Sequence, residues 1–117
     1  MKNNILDYDK ENDILFIHNK DIKTKGSVEV MGGEIILDFS KDKQIVGLEI
    51  MSASELLKNF DITKNMLSEA LAADIKVVQH RNVLFLTIIL RMPKNIEKEA
   101  ILTVPSLISQ RSPVAIV

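Results

Sequence analysis

The chain has no cysteine and no tryptophan, and aromatic residues make up only 4% of it. Without cysteine there are no disulfides, zinc-thiolate sites, iron-sulfur ligands or thiol nucleophiles, so a stapled secreted fold is not expected. Four glycines and three prolines are too few for a linker-rich or disordered chain. A dominant charge is also missing. Lys and Arg number 15 against 16 Asp and Glu, for a net charge of -1, so no overall positive field exists to attract a polyanion and nucleic acid is not an expected partner. Long hydrophobic runs are absent as well. The longest, at 83–90, is interrupted by Thr87 and falls far below the roughly 20 residues a membrane-crossing helix needs. The first residues reach Asp7 and Asp9 before any apolar stretch, so they lack the core of a signal peptide. No membrane partner is expected, and the expected location is the cytoplasm.

What remains is a chain of 117 residues, 46% hydrophobic and 26% charged. That suits one domain, which at this size hides about two-thirds of its extended surface. The expected organisation is a single domain over 1–117: a β-hairpin repeat at 5–54, a helical part at 55–73, a β segment at 74–104 and a tail at 105–117. The repeat is the most informative feature. Ile5-Leu6-Asp7-Tyr8-Asp9-Lys10 and Ile36-Leu37-Asp38-Phe39-Ser40-Lys41 stand 31 positions apart, and each is followed by polar residues and a second apolar run. This is the pattern of two related hairpins. Between them, Gly32-Gly33 is expected at a tight type I′ or II′ turn, linking the copies into a meander of about five antiparallel strands, with 20–27 as the connection. Gly47 corresponds to Phe16 of the first copy, so either an aromatic ring covers its missing side chain or a bulge occurs there.

Ser52-Ala53-Ser54-Glu55 has the Ser-x-x-Glu spacing of a capping box and is expected to open a helix with Leu56, Leu57 and Phe60 on its apolar side. A second helix is expected after Asp61 or Thr63, with Met66, Leu67, Ala70 and Leu71 lying on the sheet. Strands are then expected at 75–79, 83–92 and 100–104, with turns at Arg81-Asn82 and Pro93-Lys94-Asn95. The fold class is therefore α+β: an antiparallel meander of two related hairpins, two short helices, and a further antiparallel β segment that extends or faces the first sheet. The 83–90 strand is apolar on both faces, and both must be covered, by a second sheet, the tail or another protomer. Self-association is expected.

Tyr8-Asp9-x-x-x-Asp13-x-Leu15-Phe16-Ile17, the Ile36-Leu37-Asp38-Phe39 hairpin and the strand Ile45-Val46-Gly47-Leu48-Glu49-Ile50-Met51 together resemble the small prokaryotic proteins grouped as domain of unknown function 2283, over residues 5–54. Two positions depart from that pattern. Lys43 stands where Gly is usual, which would change the turn geometry, and Ser52 where Asp is common, which would exchange one helix cap for another. The resemblance implies no catalytic residue. Some members are similar in size and genomic setting to two-gene toxin-antitoxin modules, which implies a protein-binding role.

Candidate chemistry is sparse. His18 and His80 fall at predicted strand ends, and neither has a spacing motif for metal or for acid-base catalysis. Asp38 and Glu49 could face each other across the second hairpin as a carboxylate pair; Asp38 has a repeat twin in Asp7, and both are read as caps of their turns. Gly32-Gly33 belongs to no phosphate-loop pattern. Lys20, Lys23 and Lys25 form a loose basic loop interrupted by Asp21, read as a solvated loop. No catalytic, cofactor-binding or metal-ligating residue is assigned, and no cofactor is expected. The favoured reading is an uncharacterised, non-enzymatic protein-interaction or regulatory module, antitoxin-like in character, that forms a homo-oligomer and binds another small protein through 83–90 or the tail. The alternative is a small enzyme whose site gathers Asp38, Glu49 and His18 or His80.

Overall fold

The computed structural model describes residues 4–105. Eight strands form two antiparallel sheets: β1 Asn4–Asp9, β2 Ile14–Asn19, β3 Gly26–Val30, β4 Ile35–Phe39, β5 Ile45–Ile50, β6 Ala72–His80, β7 Val83–Met92 and β8 Ile96–Pro105. The first sheet has the order β1-β2-β5-β4-β3 and the second β6-β7-β8. The α+β class and the antiparallel sheets are as expected. The simple meander is not: β5 inserts between β2 and β4, and the connection 20–25 crosses the ends of two strands to start β3 at the far edge. This is a Greek key.

The repeat is visible in the strand register. Leu6 lies opposite Ile17 and Asp7 opposite Phe16, and 31 positions later Leu37 lies opposite Leu48 and Asp38 opposite Gly47. The two hairpins meet along β2 and β5, where Ile17 pairs with Leu48, its own counterpart in the repeat, while the flanking pairs Phe16–Glu49 and His18–Gly47 exchange with one another. The four strands thus obey a local two-fold through Ile17 and Leu48. A bulge between Asp38 and Phe39 breaks the equivalence near the second turn. It pairs Ile45, rather than Val46, with Phe39, and both Ile45 and Val46 are buried.

Strand alternation decides which side chains are hidden. Leu15 and Ile17 of β2, Ile35 and Leu37 of β4, and Leu48 and Ile50 of β5 are fully buried. They share one contiguous core with the alternate residues Leu84, Leu86, Ile88 and Leu90 of β7. The second sheet therefore faces the first and covers one side of the 83–90 strand. At one corner the sheets are tied together by Asn4 Nδ2, which donates to the Ala73 carbonyl at 3.1 Å.

The stretch expected to hold two short helices is a run of single turns: α1 Ala53–Leu57, a 3-10 turn Lys58–Phe60, and α2 Lys64–Glu69. Ala53, Leu57, Ile62 and Leu67 plug the core. Leu71, assigned to the apolar stripe of the second helix, is 70% exposed, because the helix stops at Glu69 and β6 begins by Ala72. Gly32-Gly33 sits in a four-residue connection rather than a two-residue turn: Val30 pairs with Ile35, and Met31, Gly32 and Gly33 all have positive φ, at 56°, 67° and 90°. The tail, taken above as a possible cover or binding segment, falls almost wholly in 106–117 and lies outside the described residues.

Candidate functional site

At the first turn, Asp9 accepts from the Asn12 N–H at 3.0 Å and from Asn12 Nδ2 at 2.8 Å, which closes the loop and holds the Asp9 carboxyl below its ordinary 3.8. Asp13 follows with φ 57°, a left-handed conformation that Asp tolerates better than most residues. Its carboxylate accepts from the Tyr8 hydroxyl at 2.6 Å, from the Ser54 N–H at 3.0 Å and from the Ser54 hydroxyl at 2.7 Å. Desolvation alone would raise the Asp13 pKa, but these donors and the Lys64 charge outweigh it and hold the group below 3.8. Tyr8 moves the other way: burial first, then donation to Asp13 and the negative charges of Asp13 and Asp9, raise it above its ordinary 10.0.

Asp13 is thus the cap of α1. Ser52, expected to open a capping box, adopts φ 50° and makes no side-chain cap. The position favours residues that tolerate a left-handed backbone. Lys43 is also left-handed, at φ 63°. Both departures from the resembled pattern therefore fall at left-handed positions, where neither lysine nor serine is the residue the backbone favours. Thr63 does cap α2, accepting from the Met66 N–H at 3.2 Å.

The outer face of the first sheet brings three of the proposed chemical residues together. His18, Gly47 and Asp38 lie side by side across β2, β5 and β4, with Glu49 one row away, opposite Ile36. Asp38 and Glu49 are diagonal neighbours and not a facing pair. Nor does Asp38 cap a turn: it lies inside β4, one residue from its end, is buried, and accepts from the Ser27 hydroxyl at 2.6 Å. The turn caps are Asp9 and its counterpart Ser40, whose hydroxyl accepts from the Asp42 and Gln44 N–H groups at 3.3 Å each. A Cβ on Gly47 would lie 2.8 Å from Asp38 Oδ2 and 3.2 Å from His18 Cβ. A bulge does occur beside Gly47, but a carboxylate and not an aromatic ring occupies the missing side chain's place. The Phe16 ring instead lies beside His18, with centroids 4.6 Å apart. His80 is exposed at the end of β6 in the other sheet and joins none of these groups. Among the described residues, no group of three or more His, Asp or Glu side chains is placed to hold a metal ion.

A concave site lies elsewhere, where 20–25 crosses the second turn: a cleft of about 490 Å³ lined by residues that include Lys23, Thr24, Lys25, Ser40 and Lys41. Sequence separation hides Lys41 from the basic loop, and only the Greek-key crossing brings it there. Finally, the outer face of the second sheet sets apolar side chains around a central row of Lys76, Thr87 and Ile101. Val83, Phe85 and Ile89 of β7 are half-buried, flanked by Val78 and Ile101. Its charged margin carries one ion pair, Arg91 Nη2 to Asp74 Oδ2 at 2.6 Å. No described helix is long and apolar enough to cross a membrane.

Residues 5–54 match the family described as protein of unknown function (DUF2283). The chain is 34% identical over 100 residues to "Uncharacterized protein MJ0789" of Methanocaldococcus jannaschii, with 82% of each chain covered. It is also 44% identical over 48 residues to a Methanosarcina mazei protein named "Putative hypoxanthine phosphoribosyltransferase", covering 41% of this chain and 37% of that one. So short an overlap transfers no activity. No solved structure matches the chain. The two-hairpin sheet with its Asp13 cap and left-handed turns is the physical content of the matched segment, and the chain belongs to the DUF2283 family, sharing most of its length with the uncharacterized methanogen protein.

Proposed function

We propose that the protein is a non-enzymatic interaction module that pairs with a second copy of itself through the outer face of the second sheet. The observation that carries this reading is the exposed apolar surface there, with Val78 59% and Ile101 47% accessible on either side of Phe85 and Ile89. Covering apolar surface is favourable by about 25 cal/mol per Å². Three strands about 4.8 Å apart, with about ten residues rising ~3.3 Å each, present roughly 470 Å². Two such faces bury somewhat under the ~1,000 Å² that a stable interface needs. The magnitude supports a reversible dimer. A two-fold along the strand direction would lay β6 of one copy over β8 of the other, setting Lys76 against the Ile101 row with Glu99 beside it, an attraction between identical chains.

Catalysis by Asp38, Glu49 and His18 is the weaker reading, since Asp38 is tied to Ser27 and the cleft of about 490 Å³ lies at the sheet's end. The antitoxin-like reading, with a different small protein as partner, has no separate observation behind it. Light scattering after size exclusion tests the proposal. The expected result is a dimer fraction that grows with concentration and is abolished by Phe85→Asp while the variant keeps a cooperative unfolding transition, because Phe85 lies outside the core cluster. A wild-type chain that stays monomeric at every concentration would sink it.

A further inference from the structure

The local two-fold relates the two ends of the first sheet, and the ends are built differently. At one end the first turn is sealed by α1, with Asp13 holding Ser54. At the other, the second turn meets the connection 20–25 and leaves the cleft of about 490 Å³, a size within the range of small-molecule sites. The connection is fixed at both ends. Asn19 Oδ1 accepts from the Asp21 N–H at 2.8 Å, and the Lys25 N–H donates to the Phe39 carbonyl at 2.6 Å. Both bonds hold the connection against the end of the sheet where the cleft lies.

Its charge is as uneven as its shape. Lys20, Lys23, Lys25, Lys41 and Lys43, five of the 15 Lys and Arg of a chain whose net charge is -1, lie in these two loops against Asp21 and Asp42. All five lysines are exposed. Three of them, Lys23, Lys25 and Lys41, line the cleft together with Asp21 and Asp42, a formal excess of one positive charge, and an anion seated among the three ammonium groups relieves their mutual repulsion. Thr24 and Ser40 add hydroxyl groups to the wall.

We propose that this cleft binds a phosphate-bearing small molecule, with Lys23, Lys25 and Lys41 as its ammonium donors. The inference is independent of the dimer, whose face belongs to the other sheet. The experiment is a titration of the full chain with inorganic pyrophosphate, followed by amide chemical shifts at constant ionic strength. Saturable shifts confined to 20–25 and 40–44 are expected. Lys23→Gln and Lys41→Gln should each weaken the fitted affinity by about two- to fivefold, the scale of one exposed charge contact, while shifts elsewhere stay unchanged. Shifts that do not saturate, that matched chloride reproduces, or that ignore both lysine substitutions would overturn the proposal. Because both residues are exposed loop positions, the variants keep the fold and their spectra report binding alone.

Discussion

Replacing Asp13 by alanine removes the acceptor of three donors at once: the Tyr8 hydroxyl, the Ser54 N–H and the Ser54 hydroxyl. Hydrogen bonds to a charged acceptor contribute about 1.5–3 kcal/mol each, and donors left unpaired in a partly buried site keep part of their desolvation cost. The three are coupled and water can reach the site, so the expected loss is about 3 kcal/mol, a large share of the 5–15 kcal/mol typical of a domain. Denaturant unfolding measures it directly. Tyr8→Phe removes one donor and should cost about 1 kcal/mol, and the double variant should cost less than the sum. The chain contains one tyrosine and no tryptophan, so its ultraviolet phenolate absorbance reads Tyr8 alone. In the native protein that absorbance should stay low as pH passes 10.0, and in Asp13→Ala the titration should move down toward this ordinary value. The acid side has the opposite sign. The folded Asp13 binds its proton less tightly than the unfolded chain does, so its contribution is fully present above 3.8 and is lost as pH falls through the lower native value. Asp13→Asn should therefore be less stable at neutral pH and show a shallower decline in acid. A cost under about 1 kcal/mol, together with a Tyr8 titration unchanged in Asp13→Ala, would refute the assignment of Asp13 as the cap that joins the first hairpin to α1.

Other perturbations separate backbone from packing. Gly47→Ala should destabilise by about 1–3 kcal/mol through overpacking against Asp38; in an Asp38→Ala background, measured by the same unfolding curves, most of that cost should disappear. Lys43→Gly and Ser52→Asn should each stabilise by a few tenths to about 1 kcal/mol, since both native residues hold a left-handed backbone, and a loss of stability in both would count against that explanation. Asp74→Asn breaks a surface pair and should change stability by less than about 1 kcal/mol in a salt-dependent way.

The sequence made the hairpins legible because strand alternation and turn residues are local signals, and the offset between Ile5 and Ile36 carried over into the register. Sheet order was not legible. Nothing in the composition of β5 distinguishes pairing with β2 from pairing with β4 alone, and the choice comes from burying Leu48 between Ile17 and Leu37. The cap of α1 escaped for a similar reason: Ser52-x-x-Glu55 imitates a local box, while the acceptor arrives from 41 positions away. Left-handed turns at Asp13, Lys43 and Arg81 carry no glycine to announce them. The basic cleft was half visible, as Lys20, Lys23 and Lys25, and became a concavity only when the crossing brought Lys41 beside them.

The two copies of the hairpin offer a way to separate architecture from use. Where both need the same packing they agree in kind: Leu6 with Leu37, and Ile17 with Leu48, face the core in each. Where they differ, the differences concentrate at the outer face and the ends. Tyr8 and Asp13, which seal one end, become Phe39 and Gln44, which cannot reproduce a phenol-carboxylate cap. Phe16 becomes Gly47, and the exposed Asp7 becomes Asp38, folded over that glycine. A duplicated hairpin under structural demands alone could have kept the same seal twice. The lysine-rich end carries a cleft in place of that cap, while Phe39 remains buried. That asymmetry is the reason to assign ligand binding to the second turn and structural closure to the first.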